Sequence, residues 1–223
     1  MRILLASASP ADIRWAADHG LADGIVTSPS LLANERSGAD PRELLAEICR
    51  QVGLLPVHAS VAAVDPNDMY RDGRELAKVA DSIVVEVPLV DDAVVAIRRL
   101  ASEGVRVAAT LAFNAAQALL AAKSGASSVT IAVDQLHELG TDSIVVVQES
   151  RRLFDRAGAE CDLVAAYPRG SAEFIACGLA GADAVTVDVE NLRSLLVHPL
   201  TDRGVDRFLK ELATRPKPRI APV

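Results

Sequence analysis

Eight short apolar segments alternate with longer helical segments along this chain. Each apolar segment is rich in Val, Ile, Leu and Ala almost throughout, which is typical of parallel strands covered by helices on both faces. Strands that alternate with helices in this way predict an α/β fold built on a parallel sheet. The predicted strands lie at about residues 2–6, 24–27, 57–63, 82–87, 105–110, 128–133, 161–165 and 184–187.

The segments between the predicted strands carry the usual signals of amphipathic helices. Apolar residues recur at spacings of three and four, for example in 40–52 and 91–104, and a glycine often follows. The first helix has Ser9 at the expected N-cap, Pro10 in the first turn and Gly20 as the stop signal. These signals predict one helix or more after each strand.

Eight strand–helix units in 223 residues predict a single-domain (β/α)8 TIM barrel. A doubly wound open sheet is the alternative, but no glycine-rich loop of the G-x-G-x-x-G type follows the first strand. Proline, glycine and charged residues are spread evenly, so no linker or second domain is expected. The barrel is predicted to occupy residues 1–213, followed by a proline-rich tail, "TRPKPRIAPV", at 214–223.

Charge and composition argue against several classes of partner. Net charge is −7 at pH 7 and there is no basic block, so no nucleic-acid partner is expected. No segment approaches the roughly 18 uninterrupted apolar residues of a membrane span, so no membrane partner is expected either. The cysteines Cys49, Cys161 and Cys177 lack metal-ligand spacing and favour buried thiols in a reducing cytoplasm. We expect no cofactor and no metal site.

One carboxylate interrupts the fourth predicted strand, in the segment "SIVVEVPLV" (82–90). Val84 and Glu86 share one face of this strand and Val85 and Val87 the other, because successive side chains alternate. The chemistry of a TIM barrel lies at the carboxyl ends of its strands. If Glu86 points inward, it therefore lies at the mouth of the barrel. A salt-bridged structural carboxylate is the alternative, and on the helix side it would need a charged partner.

Five stretches spread over residues 2–212 share the motifs of one known family. They are "GLADGIVTSPSLLA" (20–33), "ELAKVADSIVVEVP" (75–88), "LASEGVRVAATLAFNAAQALLAAKSGA" (100–126), "GLAGADAVTV" (178–187) and "HPLTDRGVDRFL" (198–209). These stretches resemble the small transaldolase and fructose-6-phosphate aldolase family of the class I aldolase superfamily. The resemblance implies a TIM-barrel enzyme of carbohydrate metabolism that cleaves or transfers ketose fragments through a Schiff base on a fourth-strand lysine. It also implies a ring-shaped homo-oligomer, a pentamer or decamer, whose last helix (about 201–213) packs on a neighbouring subunit.

The resemblance further implies that this chain lacks the family's catalytic lysine. The family motif resembles I-V-V-K-I-P, and its lysine falls at Glu86. Of the seventh-strand S-x-R motif, only Arg169 is kept, since Tyr167 replaces the serine. Other family site residues are also replaced: an Asp by Ala6, an Asn by Ser28, a Glu or Gln by Ser60, an Asn by Ala108, an aromatic by Ala132 and a phosphate-binding Arg by Gln135.

None of the four lysines is placed to form the imine instead. Lys78 and Lys123 lie in helical patterns, and Lys210 and Lys217 belong to the last helix and the tail. A lysine that attacks a carbonyl needs a desolvated position that lowers its pKa, and the mouth of the barrel is reached from the strands. A Schiff-base aldolase is therefore not expected.

New polar groups accompany this loss, and they define the candidate site. We predict Glu86, His58 and Tyr167 as catalytic residues, because a carboxylate in an apolar mouth can act as general acid or base near neutral pH. His58 lies next to strand four and can reach Glu86. The predicted substrate-binding residues are Ser28, Ser60, Thr110, Thr130, Asp134, Arg169 and Asp188.

Each of these predictions has a structural alternative. Asp134 and Asp188 also suit helix caps, and His58 suits a hydrogen-bonded core histidine. Three carboxylates could bind Mg²⁺, but Glu86, Asp134 and Asp188 come from separate strands without ligand spacing, so we predict no metal.

The resulting hypothesis is a repurposed, Schiff-base-independent lyase, cyclase or isomerase. Glu86 would act as acid or base on a small polar substrate, for instance a sugar-derived one, with Tyr167, Ser28 or Thr110 as hydrogen-bond donors. The alternative is a non-catalytic transaldolase paralogue that binds a metabolite or assembles with an active partner. A third alternative is residual transaldolase or aldolase activity.

Overall fold

Eight parallel strands form a closed barrel in the order β1 to β8, so the predicted single-domain TIM barrel is confirmed. A computed structural model describes residues 1–36, 38 and 40–214. Each strand pairs with its neighbours in sequence, and β8 returns to β1. The strands are β1 Arg2–Ala6, β2 Gly24–Val26, β3 Val57–Ser60, β4 Ile83–Pro88, β5 Val107–Ala112, β6 Ser128–Ala132, β7 Asp162–Ala166 and β8 Ala184–Asp188.

Helices follow every strand and form the outer layer of the barrel. Several begin with a proline that an N-cap residue precedes; Asp40 and Asp65, for example, accept backbone N–H groups at the starts of α3 and α4. The helices are α1 Pro10–Asp18, α2 Pro29–Glu35, α3 Pro41–Val52, α4 Pro66–Ala77, α5 Ala93–Ser102, α6 Ala115–Lys123, α7 Val133–Glu138, α8 Ser143–Ala157, α9 Gly170–Leu179, α10 Val189–Ser194 and α11 Pro199–Thr214.

Three local predictions differ in detail from the structure. Ser9 occupies the N-cap position of α1, but its side chain makes no capping hydrogen bond. β3 ends at Ser60 rather than at residue 63, because the next free N–H, that of Ala62, donates to the carboxylate of Asp72 at 2.7 Å. β5 continues past Thr110 because an irregularity with Leu111 at φ 59° restores the pairing with β6.

The predicted alternation along β4 places its side chains in two different layers. Val85 and Val87 are fully buried between the barrel and its helices. Below the mouth, the barrel interior is filled by a small apolar cluster of Leu4, Val26 and Val164 with Ala184. This cluster forms a floor beneath the polar residues of the mouth.

The last helix, α11, stands apart from the barrel. None of its residues is buried. The apolar side chains Val205, Phe208, Leu209 and Leu212 follow a helical spacing and are each at least 43 % exposed. The predicted tail at 214–223 lies outside the described residues except for Thr214, which ends α11. Within the described part of the chain, no helix combines the length and apolarity needed to cross a bilayer.

The close contact between α4 and the barrel yields a stability test at Gly73. A Cβ on Gly73 would lie 2.8 Å from Cδ1 of Leu100 and 3.1 Å from Cγ1 of Val85, and both neighbours are fully buried. We expect Gly73→Ala to lower the free energy of unfolding in urea by roughly 1–3 kcal/mol, the usual cost of overpacking. The control is Gly178→Ala in α9, where the Cβ meets only the flexible end of Met1. This control should be neutral or stabilising by up to about 1 kcal/mol, and a Gly73→Ala variant of equal stability would contradict the tight packing.

Candidate active site

A cavity of about 360 Å³ opens at the carboxyl ends of the strands. This volume lies at the lower end of the range typical of small-molecule sites. Eight of the ten predicted site residues line it, contributed by six successive strands or the loops after them: Glu86, His58, Tyr167, Ser28, Ser60, Thr110, Thr130 and Asp134. The fold therefore gathers residues that are more than a hundred positions apart in the sequence.

Glu86 lies near the inner wall of this cavity, on β4. Only 7 % of the residue is exposed. The register of β3 and β4 sets Ser60 directly beside Glu86, and the Ser60 hydroxyl donates a 2.8 Å hydrogen bond to Oε2 of the carboxylate. Because a buried carboxylate needs donors to compensate for lost water, this bond lowers the cost of keeping Glu86 inside the barrel.

His58 lies one pleat below Ser60 and is 6 % exposed. Its Nδ1 is 3.3 Å from Oε1 of Glu86, which is close enough for an ion pair when the ring is protonated. The angles are not those of a hydrogen bond, so Nδ1 is buried without a hydrogen-bond partner among the described residues. Whether His58 is a site residue or a hydrogen-bonded core histidine stays a prediction, and the structure places its Nδ1 beside the carboxylate of Glu86.

Tyr167 follows β7 and has a left-handed backbone with φ 57°. Burial raises the pKa of its phenol from the usual 10.0 to about 12, and the negative charges of Glu86, Asp134 and Asp188 add to the effect. Tyr167 is therefore a neutral hydrogen-bond donor at physiological pH. It can stabilise a developing oxyanion but cannot serve as a phenolate base.

The two remaining predicted residues, Arg169 and Asp188, do not line the cavity. The guanidinium of Arg169 is half exposed and lies 3.5 Å from Glu138. Asp188 is the N-cap of α10 and accepts the N–H of Asn191 at 2.7 Å, as the helix-cap alternative predicts. Their roles in substrate binding stay predictions.

Asp134 behaves differently from Asp188 although both were potential caps. It lies in the first turn of α7, but the N-cap is Ala132 and no side chain caps that helix. Its Oδ1 is buried and has no hydrogen-bond partner among the described residues. Asp134 therefore lines the cavity without acting as a helix cap.

Sequence reasoning missed one inward-facing polar residue, Thr186 on β8. It is 3 % exposed and lines the cavity. The signal was available, since Thr186 shares the parity of Asp188 at the end of the same strand. Thr27 acts on the scaffold instead: its hydroxyl donates to the carbonyl of His58 at 2.7 Å and ties β2 to β3.

Two further cavities lie elsewhere in the fold. One of about 130 Å³ opens at the amino ends of the strands, between Arg2, Arg106 and Asp162, and His58 borders it from above. A groove of about 380 Å³ lies near Cys49 and Leu54, beside the start of β4. Neither is at the carboxyl ends of the strands. Within the described residues, no group of three or more His, Cys, Asp or Glu side chains is arranged to hold a metal ion.

The closed barrel with a cavity at its carboxyl rim belongs to the TIM-barrel class. The crystal structure of a 3-hexulose-6-phosphate synthase has the same fold, with a TM-score of 0.64 and 15 % identity, over 87 % of this chain and 98 % of that one. The family model described as transaldolase/fructose-6-phosphate aldolase matches residues 3–217. The chain belongs to this family.

Similar proteins of the same length bear matching descriptions. A probable transaldolase from Hyphomonas neptunium is 40 % identical over 211 residues, covering 95 % of this chain and 96 % of that protein. A probable transaldolase from Leptospira biflexa is 38 % identical over 211 residues, covering 95 % and 97 %. These matches establish the family, and the placement of its lysine at Glu86 rests on the strand-four motif.

The charges around Tyr167 can be measured through its own ionisation. The difference in tyrosinate absorbance between the wild type and Tyr167→Phe reports the ionisation of Tyr167. We expect this difference to stay low until the pH approaches about 12. An unfolded tyrosine ionises near pH 10, so the free energy of unfolding of the wild type should fall as the pH rises above 10. This fall should be smaller in Tyr167→Phe, which lacks the phenol.

Removing a neighbouring charge should shift this titration. Glu86→Gln is expected to lower the pKa of Tyr167, because it removes one negative charge that opposes the phenolate. Glu190→Gln removes the same charge from an exposed position in the first turn of α10 and serves as the control. A difference titration centred on the ordinary value of 10 would contradict the raised pKa of the phenol.

Proposed function

We propose that this chain is a Schiff-base-independent lyase, cyclase or isomerase in which Glu86 transfers a proton on a small polar, sugar-derived substrate. The observation that carries the proposal is the burial of Glu86 in a barrel-mouth cavity with Ser60 and His58 as its polar neighbours. Catalytic carboxylates commonly occupy such partly dry positions, where they can both take up and return a proton near neutral pH.

The proposed step is proton abstraction from a carbon next to a carbonyl group. The C–H bond breaks, its proton passes to a carboxylate oxygen of Glu86, and the electron pair moves onto the carbonyl oxygen as an enolate. The neutral phenol of Tyr167 donates a hydrogen bond to that oxygen. In an isomerisation, the carboxyl group of Glu86 returns the proton to the former carbonyl carbon, while the proton of the hydroxyl on the first carbon moves to the enolate oxygen and a new carbonyl forms at that first carbon. In a lyase reaction, the enolate re-forms the carbonyl as the bond between the next carbon and the leaving group breaks, and Glu86 gives the proton to the leaving group.

His58 would tune this exchange as a positioning residue. Its Nδ1 lies 3.3 Å from Oε1 of Glu86, while Ser60 holds Oε2. The imidazole on one side and the serine hydroxyl on the other would hold the carboxylate in one orientation towards the substrate.

The positions of the lysines argue against the family's imine chemistry in this chain. Lys78 is the C-cap of α4, Lys123 ends α6 and Lys210 lies in α11. Lys217 lies outside the described residues. None of the described lysines lines the cavity.

Two alternatives each have one observation in their favour. A non-catalytic paralogue agrees with the small side chains of Ala6, Ala108 and Ala132 at positions where the family motifs carry functional groups. Residual transaldolase activity agrees with the descriptions of the similar proteins. Neither alternative accounts for a carboxylate at Glu86, since drift at a buried site favours uncharged residues over an ion that costs several kcal/mol when unpaired.

Solvent exchange tests the proposed step without knowledge of the full reaction. In D₂O, the wild type should incorporate deuterium next to the carbonyl of unphosphorylated hydroxyketones such as dihydroxyacetone, as followed by proton NMR. Glu86→Gln keeps the shape and removes the base, so the exchange rate should fall by at least about a hundredfold. Ser60→Ala keeps the carboxylate of Glu86, so its exchange rate should fall much less than that of Glu86→Gln.

The route of exchange is checked by borohydride reduction in the presence of the same ketones. We expect no covalent adduct, because the proposed step forms no imine. A substrate-dependent adduct mapped to a lysine would establish the Schiff-base alternative. Absence of exchange with every ketone, or equal exchange by Glu86→Gln, would refute the role of Glu86 and favour the non-catalytic paralogue.

We also propose that the chain forms a ring-shaped homo-oligomer, a pentamer or decamer, in the cytoplasm. The exposed apolar stripe of α11 supports assembly, because a lone barrel leaves Phe208 and Leu209 in water at 58 % and 55 % exposure. A cytoplasmic location agrees with the free thiols of Cys49, Cys161 and Cys177.

Removing α11 tests the assembly proposal. A chain that stops after His198 should sediment as a smaller species than the full-length protein, because its intersubunit contact is lost. Phe208→Ser should weaken the assembly in the same direction, whereas Lys210→Ser on the polar side of the helix should not. A full-length chain that sediments as a monomer would contradict the proposal.

A further inference from the structure

The cavity wall carries acidic side chains but no lysine or arginine. Glu86 and Asp134 line the cavity, and no lysine or arginine of the described chain does so. Arg169, a cation near this rim, is half exposed and lies beside Glu138. Gln135, at the cavity wall, carries no charge. His58 is the one ionisable base among the lining residues, and it faces Glu86. A ligand in this cavity therefore meets the carboxylate of Asp134 without a lysine or arginine of the described chain beside it.

Three carboxylates act together at one point of the mouth. The charges of Glu86, Asp134 and Asp188 all oppose ionisation of the Tyr167 hydroxyl, in addition to the effect of burial. The three carboxylates that act on the Tyr167 hydroxyl thus come from three different elements, β4, α7 and the end of β8. A phosphate placed beside Tyr167 would be repelled by all three.

Asp134 adds a carboxylate acceptor, which suits a ligand that carries hydrogen-bond donors. Its buried Oδ1 has no hydrogen-bond partner among the described residues, and it does not cap α7. Asp134 lines the cavity without serving as a helix cap, so its carboxylate is available to the donors of a ligand. His58, 6 % exposed at the floor of the same cavity, has a second unpaired atom in Nδ1.

The partner that fits these groups is an organic cation. The described residues hold no cluster suited to a metal ion. A primary ammonium carries one positive charge and three donors, which suits a single carboxylate oxygen and neighbouring polar groups. The hydroxyls of Thr110, Thr130 and Thr186 line the rest of the cavity and suit the hydroxyl groups of a small polyol.

We propose that the cavity takes a small polyhydroxylated molecule that bears a protonated amine and no phosphate, with the ammonium bound by Asp134. This inference rests on the proposed function, because it assigns the substrate class of the same site. Asp134 is the anchor and Glu86 stays the proton-transfer group. The amine also explains why an arginine would be unfavourable at Gln135, since it would place a like charge beside the ammonium.

Three probes with one carbon skeleton test the proposal by binding alone. They are 2-amino-1,3-propanediol, glycerol and glycerol 2-phosphate, which place an ammonium, a hydroxyl and a phosphate on the same carbon. Binding is followed through amide chemical shifts of the full-length protein at constant ionic strength. We expect the ammonium probe to bind at least about tenfold more tightly than glycerol, and glycerol 2-phosphate to bind more weakly than either.

Variants locate the ammonium within the cavity. Asp134→Asn should weaken binding of the ammonium probe by about tenfold and leave the affinity for glycerol unchanged. Gln135→Arg should also weaken binding of the ammonium probe, and it should strengthen binding of glycerol 2-phosphate. Glu190→Gln is the matched control, since Glu190 also lies in the first turn of a short helix after a strand but is exposed and outside the cavity. This control should change nothing.

The outcomes separate this inference from the proposed reaction. Any of four results would overturn the amine assignment. They are tighter binding of glycerol 2-phosphate than of the ammonium probe, equal binding of the three probes, no binding of the ammonium probe up to about 100 mM, and an unchanged affinity of Asp134→Asn for the ammonium probe. Each of these results would leave deuterium exchange by Glu86 intact. Conversely, loss of the exchange result would leave ammonium binding at Asp134 standing as a ligand site without catalysis.

Discussion

The pairing of β1 with β8 closes the sheet by joining the first strand to the last. Five residue pairs form this ladder, from Arg2–Ala184 to Ala6–Asp188. Because all eight strands are parallel, their carboxyl ends lie on one rim, and the residues that end or follow them meet around one cavity. In an open sheet, Glu86 on β4 and Tyr167 after β7 would lie several strands apart, about 4.8 Å per strand, along a flat edge. Closure is therefore what turns scattered polar residues into a site.

The burial of Glu86 is the main unfavourable feature that this architecture maintains. The β3–β4 register supplies the Ser60 hydroxyl to one oxygen and places Nδ1 of His58 3.3 Å from the other. The cluster of Leu4, Val26 and Val164 below keeps the floor of the mouth apolar. A carboxylate held in this way is costly for stability, and such costs are found where proteins keep reactive groups. Together with burial, the negative charge of Glu86 raises the pKa of the Tyr167 phenol, so the state of one residue affects that of the other.

Much of the fold followed from local signals. The period-two alternation of β4 was sufficient to separate Glu86 from Val85 and Val87, because adjacent side chains of a strand point to opposite faces. The strand positions agree within two or three residues, and the largest differences occur where tertiary hydrogen bonds end or extend a strand. The carboxylate of Asp72 takes the N–H of Ala62 beyond β3, and the irregularity at Leu111 lengthens β5. Both contacts join residues ten or more positions apart, and hydrophobic periodicity does not reveal which residues form such a contact.

The sequence alone determined the barrel, the family and the unusual carboxylate in the fourth strand, because periodicity and motif spacing are local properties of a chain. The tertiary structure decided which polar residues act on one another. Asp134 and Asp188 have similar places at the ends of strands, yet Asp188 caps α10 while Oδ1 of Asp134 is buried without a partner among the described residues. Arg169 lies beside Glu138 instead of entering the cavity. Hydrogen bonds and charge–charge interactions depend on distances of a few ångströms between residues far apart in the chain, and only strand register and barrel closure set those distances.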